Sequence, residues 1–183
     1  MIDAMRIAFT GPECSGKTTL SKWLAGYLGV PYIAEYAREY LSPNQPYFQA
    51  DLHQIAQAQF TRNHEFQQCV CDTEMTVCRI WEAVVFNSTS ALLDHLVNSE
   101  NYGLVFLCSP DIPWISDPLR ENPHDRAALF VRYKEDLEKR KIDYWVVEGS
   151  ISERKEMILS MCFIVGASFS KCLNIGLSSS LQS

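Results

Sequence analysis

The chain has 183 residues and a formal net charge of −6 at pH 7, and a chain of this length forms one domain with a sizeable core. The negative charge argues against sequence-independent binding of nucleic acid, because such binding depends on cationic contacts to phosphates. Its seven cysteines form no C-x-x-C pair, and charges at Asp3 and Arg6 interrupt any signal peptide, so we expect reduced thiols in a cytoplasmic protein.

The first predicted strand and helix flank a phosphate-binding loop. Residues 11–18 read Gly-Pro-Glu-Cys-Ser-Gly-Lys-Thr, which fits the pattern G-x-x-x-x-G-K-[ST]. The apolar run at residues 6–10 predicts a buried strand before the loop, and apolar spacing over residues 18–25 predicts a helix after it. A nucleoside triphosphate binds this motif in that context, so we expect ATP and Mg²⁺ as cofactors.

The chemistry of the loop explains its residues. Gly11 and Gly16 allow backbone angles and a close approach to phosphate that a Cβ would block. Lys17 reaches the β- and γ-phosphates, and the Thr18 hydroxyl is a ligand for Mg²⁺. Cys14 is either a reactive thiol beside a helix N-terminus or a small residue at a variable position. The expected nucleotide-binding residues of the loop are Gly11, Glu13, Cys14, Ser15, Gly16, Lys17, Thr18 and Thr19.

Glu35 and Arg38 follow the second predicted strand, residues 30–34. Residues 35–40 read Glu-Tyr-Ala-Arg-Glu-Tyr. Ligands bind at the carboxyl ends of strands in an open α/β sheet, and a spacing of three puts Glu35 and Arg38 on one face of a helical turn. We therefore expect both side chains in the site. An ordinary solvated charge cluster is the alternative.

The helix that comes next is predicted to carry no functional residue. Asp51 opens it, with Gln54 as its capping-box partner. We assign its other polar residues, Gln59 among them, to solvated faces. His53 and His64 show no metal-ligand spacing, so no metal site is assigned to them.

Asp72 ends the third short apolar run. In this class of proteins an Asp at the end of the strand beside the loop holds Mg²⁺, so Asp72 joins Thr18 as a predicted metal ligand, with Glu74 behind it. The alternative is that Asp72 caps the following helix, whose apolar residues recur over residues 77–85. If the chain transfers a phosphoryl group, we expect either Asp72 or Glu35 to orient the acceptor hydroxyl or take its proton.

A long loop follows the strand predicted at residues 102–108. Four prolines exclude a regular helix through residues 109–123, and Arg120 and Arg126 flank the end of the loop. Such a loop fits a lid, because phosphoryl transfer needs water excluded and charge neutralised. Arg38, Arg120 and Arg126 are then expected to stabilise the transferring group. A surface loop with solvated arginines is the alternative.

The last predicted elements complete an α/β fold. A helix over residues 126–141 leads into a strand at residues 143–148, and Gly149 and Ser150 turn the chain. We expect Gly149 and Ser150 to border the adenine of ATP. Five strand-like runs that alternate with helices predict an α/β fold of three layers, in which helices cover both faces of a five-stranded parallel sheet, and the loop over residues 109–123 is the predicted lid loop.

The C-terminal residues differ from the rest of the chain. Residues 157–183 contain one charged residue, Lys171, and the uncharged run over residues 157–170 is too short to span a membrane. We therefore divide the chain into a kinase domain, residues 1–156, and an apolar, serine-rich tail, residues 157–183, to which we assign no function.

Four stretches together resemble a known family. The resemblance is to the ribosylnicotinamide kinase domain of the NadR-type NAD-biosynthesis proteins, over residues 5–156, and it is carried by residues 11–19, 35–40, 71–74 and the run from Pro113 through Arg120 to Arg126. The resemblance implies a P-loop fold of the nucleoside- and nucleotide-kinase type and a kinase that transfers the γ-phosphate of ATP to the 5′-hydroxyl of nicotinamide riboside. The adenylyltransferase and DNA-binding domains of full-length NadR have no counterpart in these residues, so DNA binding is not implied.

Two other functions stay open at this point. One is a kinase of another nucleoside or of a nucleotide, and the other is an ATP-hydrolysing switch module. The chain shows no N-K-x-D-like motif of a GTPase and no L-S-G-G-Q-like motif of a transporter ATPase. Tyr36 or Trp81 is a candidate for stacking on the acceptor ring, with core packing as the alternative for Trp81. A homo-oligomer is compatible with the sequence.

Overall fold

A computed structural model of the chain describes residues 5–43, 45–118 and 124–166. The strands within these ranges are β1 (Arg6–Thr10), β2 (Tyr32–Ile33), β3 (Cys69–Cys71), β4 (Leu104–Cys108) and β5 (Trp145–Val147). They form one sheet in the order β2-β3-β1-β4-β5, and every strand pair is parallel. The predicted five-stranded parallel sheet is thereby confirmed.

Helices connect these strands and cover both faces of the sheet. The helices within the described ranges are α1 (Lys17–Leu28), α2 (Ala37–Tyr40), α3 (Gln49–Asn63), α4 (Met75–Val85), α5 (Ala91–Ser99), α6 (Arg126–Lys139) and α7 (Ile151–Ile164). None of them combines the length and the apolar composition that crossing a membrane requires.

The alternating side chains of β1 divide the core between the two faces of the sheet. Ile7 and Phe9 pack with α1 and α7 on one face, and Ala8 packs with Ile80 of α4 and Leu129 of α6 on the other. All five side chains are buried, as the period of two along a strand requires when both faces are covered. The fold therefore has the three predicted layers.

The position of β1 at the centre of the sheet determines where a ligand can bind. The strands β3 and β2 lie on one side of β1, and β4 and β5 lie on the other. In open α/β sheets, ligands bind outside the carboxyl ends of the strands at such a switch point. The residues directly after Thr10 of β1 and Cys71 of β3 lie at this crevice, because the two strands are parallel neighbours.

Two predictions about α3 are wrong. The helix begins at Gln49 with Phe48 as its N-cap, and Asp51 is the third helical residue, whose carboxylate accepts a hydrogen bond from the Phe48 amide at 2.7 Å. Asp51 therefore closes the capping box from inside the helix and does not open it. Gln59, which we placed on a solvated face, is only 1% exposed.

Helix α7 continues past residue 156, where we divided the chain. Ile158 and Cys162 are buried in the core beside α1 and the sheet. Residues 157–164 therefore form part of the structural unit that carries the sheet. Residues 167–183 of the predicted tail lie outside the described residues.

A pair of neighbouring carboxyl groups, Glu74 and Glu100, lies near the start of β4. The carboxylate of Glu100 accepts hydrogen bonds from the Tyr102 hydroxyl at 2.5 Å and from the Met75 amide at 2.9 Å. Burial, together with the neighbouring Glu74 carboxylate, raises the pKa of Glu100 well above its ordinary value. The folded protein therefore holds a proton on Glu100 more tightly than the unfolded chain does.

Replacing Glu100 by Gln is expected to stabilise the protein at pH 8. Because the folded state binds the Glu100 proton more tightly, protonated Glu100 contributes fully to the free energy of unfolding below the ordinary glutamate pKa of about 4.3. This contribution is lost as pH rises through the raised pKa of the folded state. Glu100→Gln should gain about 1–3 kcal/mol at pH 8, the scale on which a buried polar group without full compensation costs stability. Urea unfolding between pH 5 and 8 measures this, and an equal pH dependence in both proteins would contradict it.

Candidate active site

The phosphate-binding loop between β1 and α1 requires glycine at two positions. Gly11 and Gly16 have φ of +126° and +90°, a region that other residues rarely adopt. A Cβ on Gly11 would lie 2.7 Å from the carbonyl oxygen of Cys108 at the end of β4, closer than real Cβ atoms come to backbone. Gly11 is therefore required by its backbone angle and by the close approach of β4, and Gly16 is required by its backbone angle.

Lys17 lies across its own loop. Its Nζ donates hydrogen bonds to the carbonyl oxygens of Gly11 at 2.7 Å and Pro12 at 2.8 Å. The Ser15 hydroxyl donates to the same Pro12 carbonyl at 2.7 Å. The loop thus holds an ammonium group at the N-terminus of α1, where the helix dipole also favours an anion.

Asp72 lies directly after β3 and beside the loop. The side chain is buried, with 1% exposure, and its Oδ2 accepts a hydrogen bond from the Tyr32 hydroxyl at 2.9 Å. Burial and the Asp72 carboxylate raise the pKa of Tyr32, so this hydroxyl stays protonated and donates. Glu74, not Asp72, is the N-cap of α4, because its carboxylate accepts from the Thr76 amide at 2.7 Å. Capping as the role of Asp72 is thereby wrong.

The second oxygen of Asp72 fits a metal site. Oδ1 of Asp72 and Oγ1 of Thr10 at the end of β1 are both buried with no hydrogen-bond partner among the described residues. Buried polar atoms are nearly always satisfied, so each of these oxygens is available to a polar or cationic partner. Mg²⁺ takes oxygen ligands and keeps several waters, which suits one carboxylate and neighbouring hydroxyl groups.

Arg38 joins the loop after β2 to the loop after β4, which is the predicted lid. Its Nε donates to Oε2 of Glu35 at 3.0 Å, and its Nη1 donates to Oδ2 of Asp117 at 3.0 Å. Burial alone would lower the pKa of Arg38, but the carboxylates of Glu35 and Asp117 hold it above its ordinary value. The guanidinium is therefore a fixed cation held between two acids.

A cavity of about 390 Å³ connects the loop with Glu35 and Arg38. This volume lies in the range that small-molecule sites occupy. Trp81 lies in the wall of the cavity, and its Nε1 donates to the Tyr47 hydroxyl at 2.8 Å. The other predicted stacking residue, Tyr36, packs its ring against Arg62. The apolar wall from α4 and α6 comprises Val77, Ile80, Trp81, Val84, Leu129 and Tyr133.

The start of the lid contacts the phosphate-binding loop. Arg126 Nη1 donates to the carbonyl oxygens of Cys14 at 3.2 Å and Ile112 at 3.0 Å. The Cys14 sulfur accepts a hydrogen bond from the Ile115 amide at 3.2 Å. Arg126 and Cys14 therefore link lid to loop, whereas Arg120 lies outside the described residues.

Sequence reasoning missed Arg154, which is only 2% exposed. Its guanidinium donates to the carbonyl oxygens of Ser15 at 2.8 Å, Gly149 at 2.8 Å and Ser109 at 3.2 Å, and it forms an ion pair with Asp111. Arg154 thus joins the phosphate-binding loop to the ends of β4 and β5. Its surroundings in the sequence, Ser-Glu-Arg-Lys-Glu, are those of a solvated helix face, so no local signal marks it.

Gly149 and Ser150 have structural roles here. The Gly149 amide donates to Oδ2 of Asp111 at 2.6 Å, and the Ser150 hydroxyl caps α7 in a capping box with Glu153. Neither is among the described residues that line the cavity. That they border the adenine stays a prediction.

Arg154→Met is expected to destabilise the protein and weaken ATP binding together. Removing the guanidinium leaves buried carbonyl oxygens without a donor at a cost of about 1–3 kcal/mol each, whereas the ion-pair partner Asp111 is 38% exposed and stays solvated. The Ser15 carbonyl would lose its donor, which loosens the loop. Thermal unfolding and ATP titration measure both effects, with Lys155→Met as the control because it removes the same charge from the next residue. Unchanged ATP affinity in a folded Arg154→Met protein would contradict this role.

Comparison with known proteins places this arrangement in a family and a fold. The sequence model of the AAA domain family matches residues 6–154. A search of curated proteins found no match.

Solved structures share the fold at low sequence identity. NadR in complex with NAD and AMP-PNP superimposes with a TM-score of 0.74 at 18% identity, over 89% of this chain and 50% of NadR. NadR in complex with NR gives 0.71 at 18% identity, over 89% and 52%. Deoxyadenosine kinase from M. mycoides with bound dCTP gives 0.61 at 16% identity, over 87% and 100%. The chain thus spans about half the length of NadR, and the predicted kinase-like fold is confirmed.

Proposed function

The chain belongs to the AAA domain family, and from this premise we propose that it is an ATP-dependent kinase of a small molecule. The proposed acceptor is nicotinamide riboside, and the product is nicotinamide mononucleotide. One observation carries the proposal. The phosphate-binding loop and the acid Glu35 face a single cavity with an apolar and aromatic wall, so donor and acceptor sites open onto each other.

The loop residues support a site for the triphosphate of ATP. Backbone N–H groups at the start of α1 and the Lys17 ammonium would bind the β- and γ-phosphates. Thr18, exposed in the first turn of α1, and Asp72, with its unpartnered Oδ1, would hold Mg²⁺. When bound, Mg²⁺ neutralises charge on the phosphate oxygens. Arg126 is tied to the Cys14 carbonyl and so lies beside the loop, where it would add positive charge.

The two acids have different tasks in this proposal. Asp72 is buried and is not among the described residues that line the cavity, whereas Glu35 lines it. Glu35 is therefore the group that would orient the acceptor hydroxyl and take its proton as the phosphoryl group transfers. The Arg38 hydrogen bond to Oε2 of Glu35 fixes the direction of the carboxylate.

The charges around the cavity favour a nucleoside over a nucleotide as acceptor. A nucleotide needs cations for its own phosphate, but the positive charge of Arg38 is already neutralised by Glu35 and Asp117. Nicotinamide riboside carries a positively charged pyridinium ring. The indole of Trp81 in the cavity wall suits such a ring, because aromatic rings attract cations.

A panel of acceptors tests this proposal. The protein is supplied with Mg²⁺ and ATP and, in turn, nicotinamide riboside, adenosine, thymidine and nicotinamide mononucleotide, and products are identified by mass. We expect a gain of one phosphate on nicotinamide riboside and none on the mononucleotide. Phosphorylation of another nucleoside in preference would overturn the acceptor, and phosphorylation of the mononucleotide would overturn the charge argument.

A further inference from the structure

Two buried amide side chains connect the loops that carry the proposed acids. Gln59 and Asn63 lie four residues apart on α3, so they share one face of the helix. They are 1% and 0% exposed. Burying an amide is costly unless it is hydrogen-bonded, so the bonds of these two side chains indicate what they do.

The Gln59 amide holds the backbone on both sides of Glu35. Its Oε1 accepts a hydrogen bond from the Tyr36 amide at 2.6 Å, and its Nε2 donates to the Ala34 carbonyl at 3.2 Å. Ala34 and Tyr36 are the chain neighbours of Glu35. Gln59 thereby fixes the peptide groups that aim the Glu35 side chain.

The Asn63 amide continues this link to the loop after β3. Its Oδ1 accepts from Nε2 of Gln59 at 2.9 Å, and its Nδ2 donates to the Thr73 carbonyl at 2.9 Å. Nδ2 also donates to the Tyr102 hydroxyl at 2.9 Å. Thr73 is the chain neighbour of Asp72, so one chain of hydrogen bonds runs from the Glu35 loop to the Asp72 loop.

We propose that Gln59 and Asn63 are positioning residues that set the separation and direction of Glu35 and Asp72. This inference rests on the proposed kinase function, in which these two acids serve the acceptor and the metal. Both amides are used as donor and acceptor at once. A carboxylate could replace only the accepting oxygen of either amide, and an apolar side chain could replace neither the accepting oxygen nor the donating nitrogen.

The first experiment compares Gln59→Met with Gln59→Glu. Gln59→Met keeps the length of the side chain and removes its hydrogen bonds, and Gln59→Glu keeps the acceptor for the Tyr36 amide but turns a buried carboxylate oxygen toward the Ala34 carbonyl and Asn63 Oδ1. We expect kcat to fall by about 10²-fold in Gln59→Met, the scale of a small misplacement of a reacting group, and by at least as much in Gln59→Glu. The dissociation constant for ATP should stay within about twofold, because the phosphate-binding loop is not touched. Gln57→Met, exposed on the same helix, is the control.

A double-mutant cycle separates positioning from general loosening. If Gln59 acts through Glu35, then Gln59→Met should cause little further loss of kcat in a Glu35→Gln protein. Additive losses would overturn the proposal, and so would normal kcat in Gln59→Met. A parallel fall in ATP affinity would also overturn it, because it would show a general structural role.

Hydrogen exchange gives a readout that does not need turnover. The Tyr36 amide should exchange faster in Gln59→Met, with exchange in the β1 and β4 amides unchanged. Equal exchange of the Tyr36 amide in both proteins would overturn the positioning role. If the wild-type protein phosphorylates no acceptor, the proposed function fails, while the exchange result still decides whether Gln59 holds this loop.

Discussion

Lys17→Ala is expected to lower kcat by about 10²-fold or more, the scale on which lost electrostatic groups act in transfer reactions. The Lys17 ammonium lies inside the loop, within 2.8 Å of two loop carbonyls, and the proposed γ-phosphate would be transferred beside it. Negative charge develops on the leaving oxygen of ADP as the phosphoryl group transfers, and a fixed cation stabilises this charge without reorganisation. Single-turnover and steady-state measurements at saturating ATP give the effect on the chemical step.

The matched control for this prediction is Lys139→Ala. Lys139 is an exposed lysine in the last turn of α6, so the variant removes the same charge at the surface of the protein. Its kcat should equal that of the wild type. The Gly11 and Pro12 carbonyls lose a donor in Lys17→Ala, so its free energy of unfolding should fall by about 1–2 kcal/mol at most. Near-normal turnover in a folded Lys17→Ala protein would contradict the assigned role.

Asp72→Asn is the second substitution with a large expected effect. We expect kcat to fall by about 10²-fold or more and the Mg²⁺ concentration needed for half-maximal rate to rise, because a carboxylate ligand becomes a neutral amide. Stability should hold or increase, since the change removes a buried charge with one unpartnered oxygen. Rates over a Mg²⁺ titration and thermal unfolding measure the three quantities.

The control for Asp72 is the exposed Asp143. Asp143→Asn makes the same chemical change away from the proposed phosphate and metal groups, and its rate and Mg²⁺ dependence should match those of the wild type. Wild-type Mg²⁺ dependence in a folded Asp72→Asn protein would remove Asp72 from the metal site. A large loss of stability would show instead that Asp72 serves the fold through Tyr32.

The parts of the site that could be predicted are those whose chemistry is local. Gly11 and Gly16 are marked by a backbone geometry that only a few residues tolerate, and the period of the apolar residues indicates the flanking strand and helix. Alternation of strands and helices predicted the parallel sheet. Strand order, which puts β3 between β1 and β2, depends on packing between distant segments and could not be predicted in this way.

Buried polar residues were the main failure of sequence reasoning. Gln59, Asn63 and Arg154 belong to residue types that are mostly exposed, and no local sequence pattern marks them as buried. Only the approach of loops from elsewhere in the chain gives these side chains their partners. The packing of α7 could not be predicted either. Its apolar residues lie all around the helix, so the sequence does not indicate the buried face formed by Ile158 and Cys162.

ADP formation by the wild-type protein with Mg²⁺ and ATP, measured with and without nicotinamide riboside, decides whether the chain is a kinase of this nucleoside. We expect ADP to form at a measurable rate only when nicotinamide riboside is present, with one molecule of nicotinamide mononucleotide appearing for each ADP. ADP formation at the same rate without any acceptor, and no phosphorylated product when nicotinamide riboside is added, would contradict the kinase assignment and favour an ATP-hydrolysing switch.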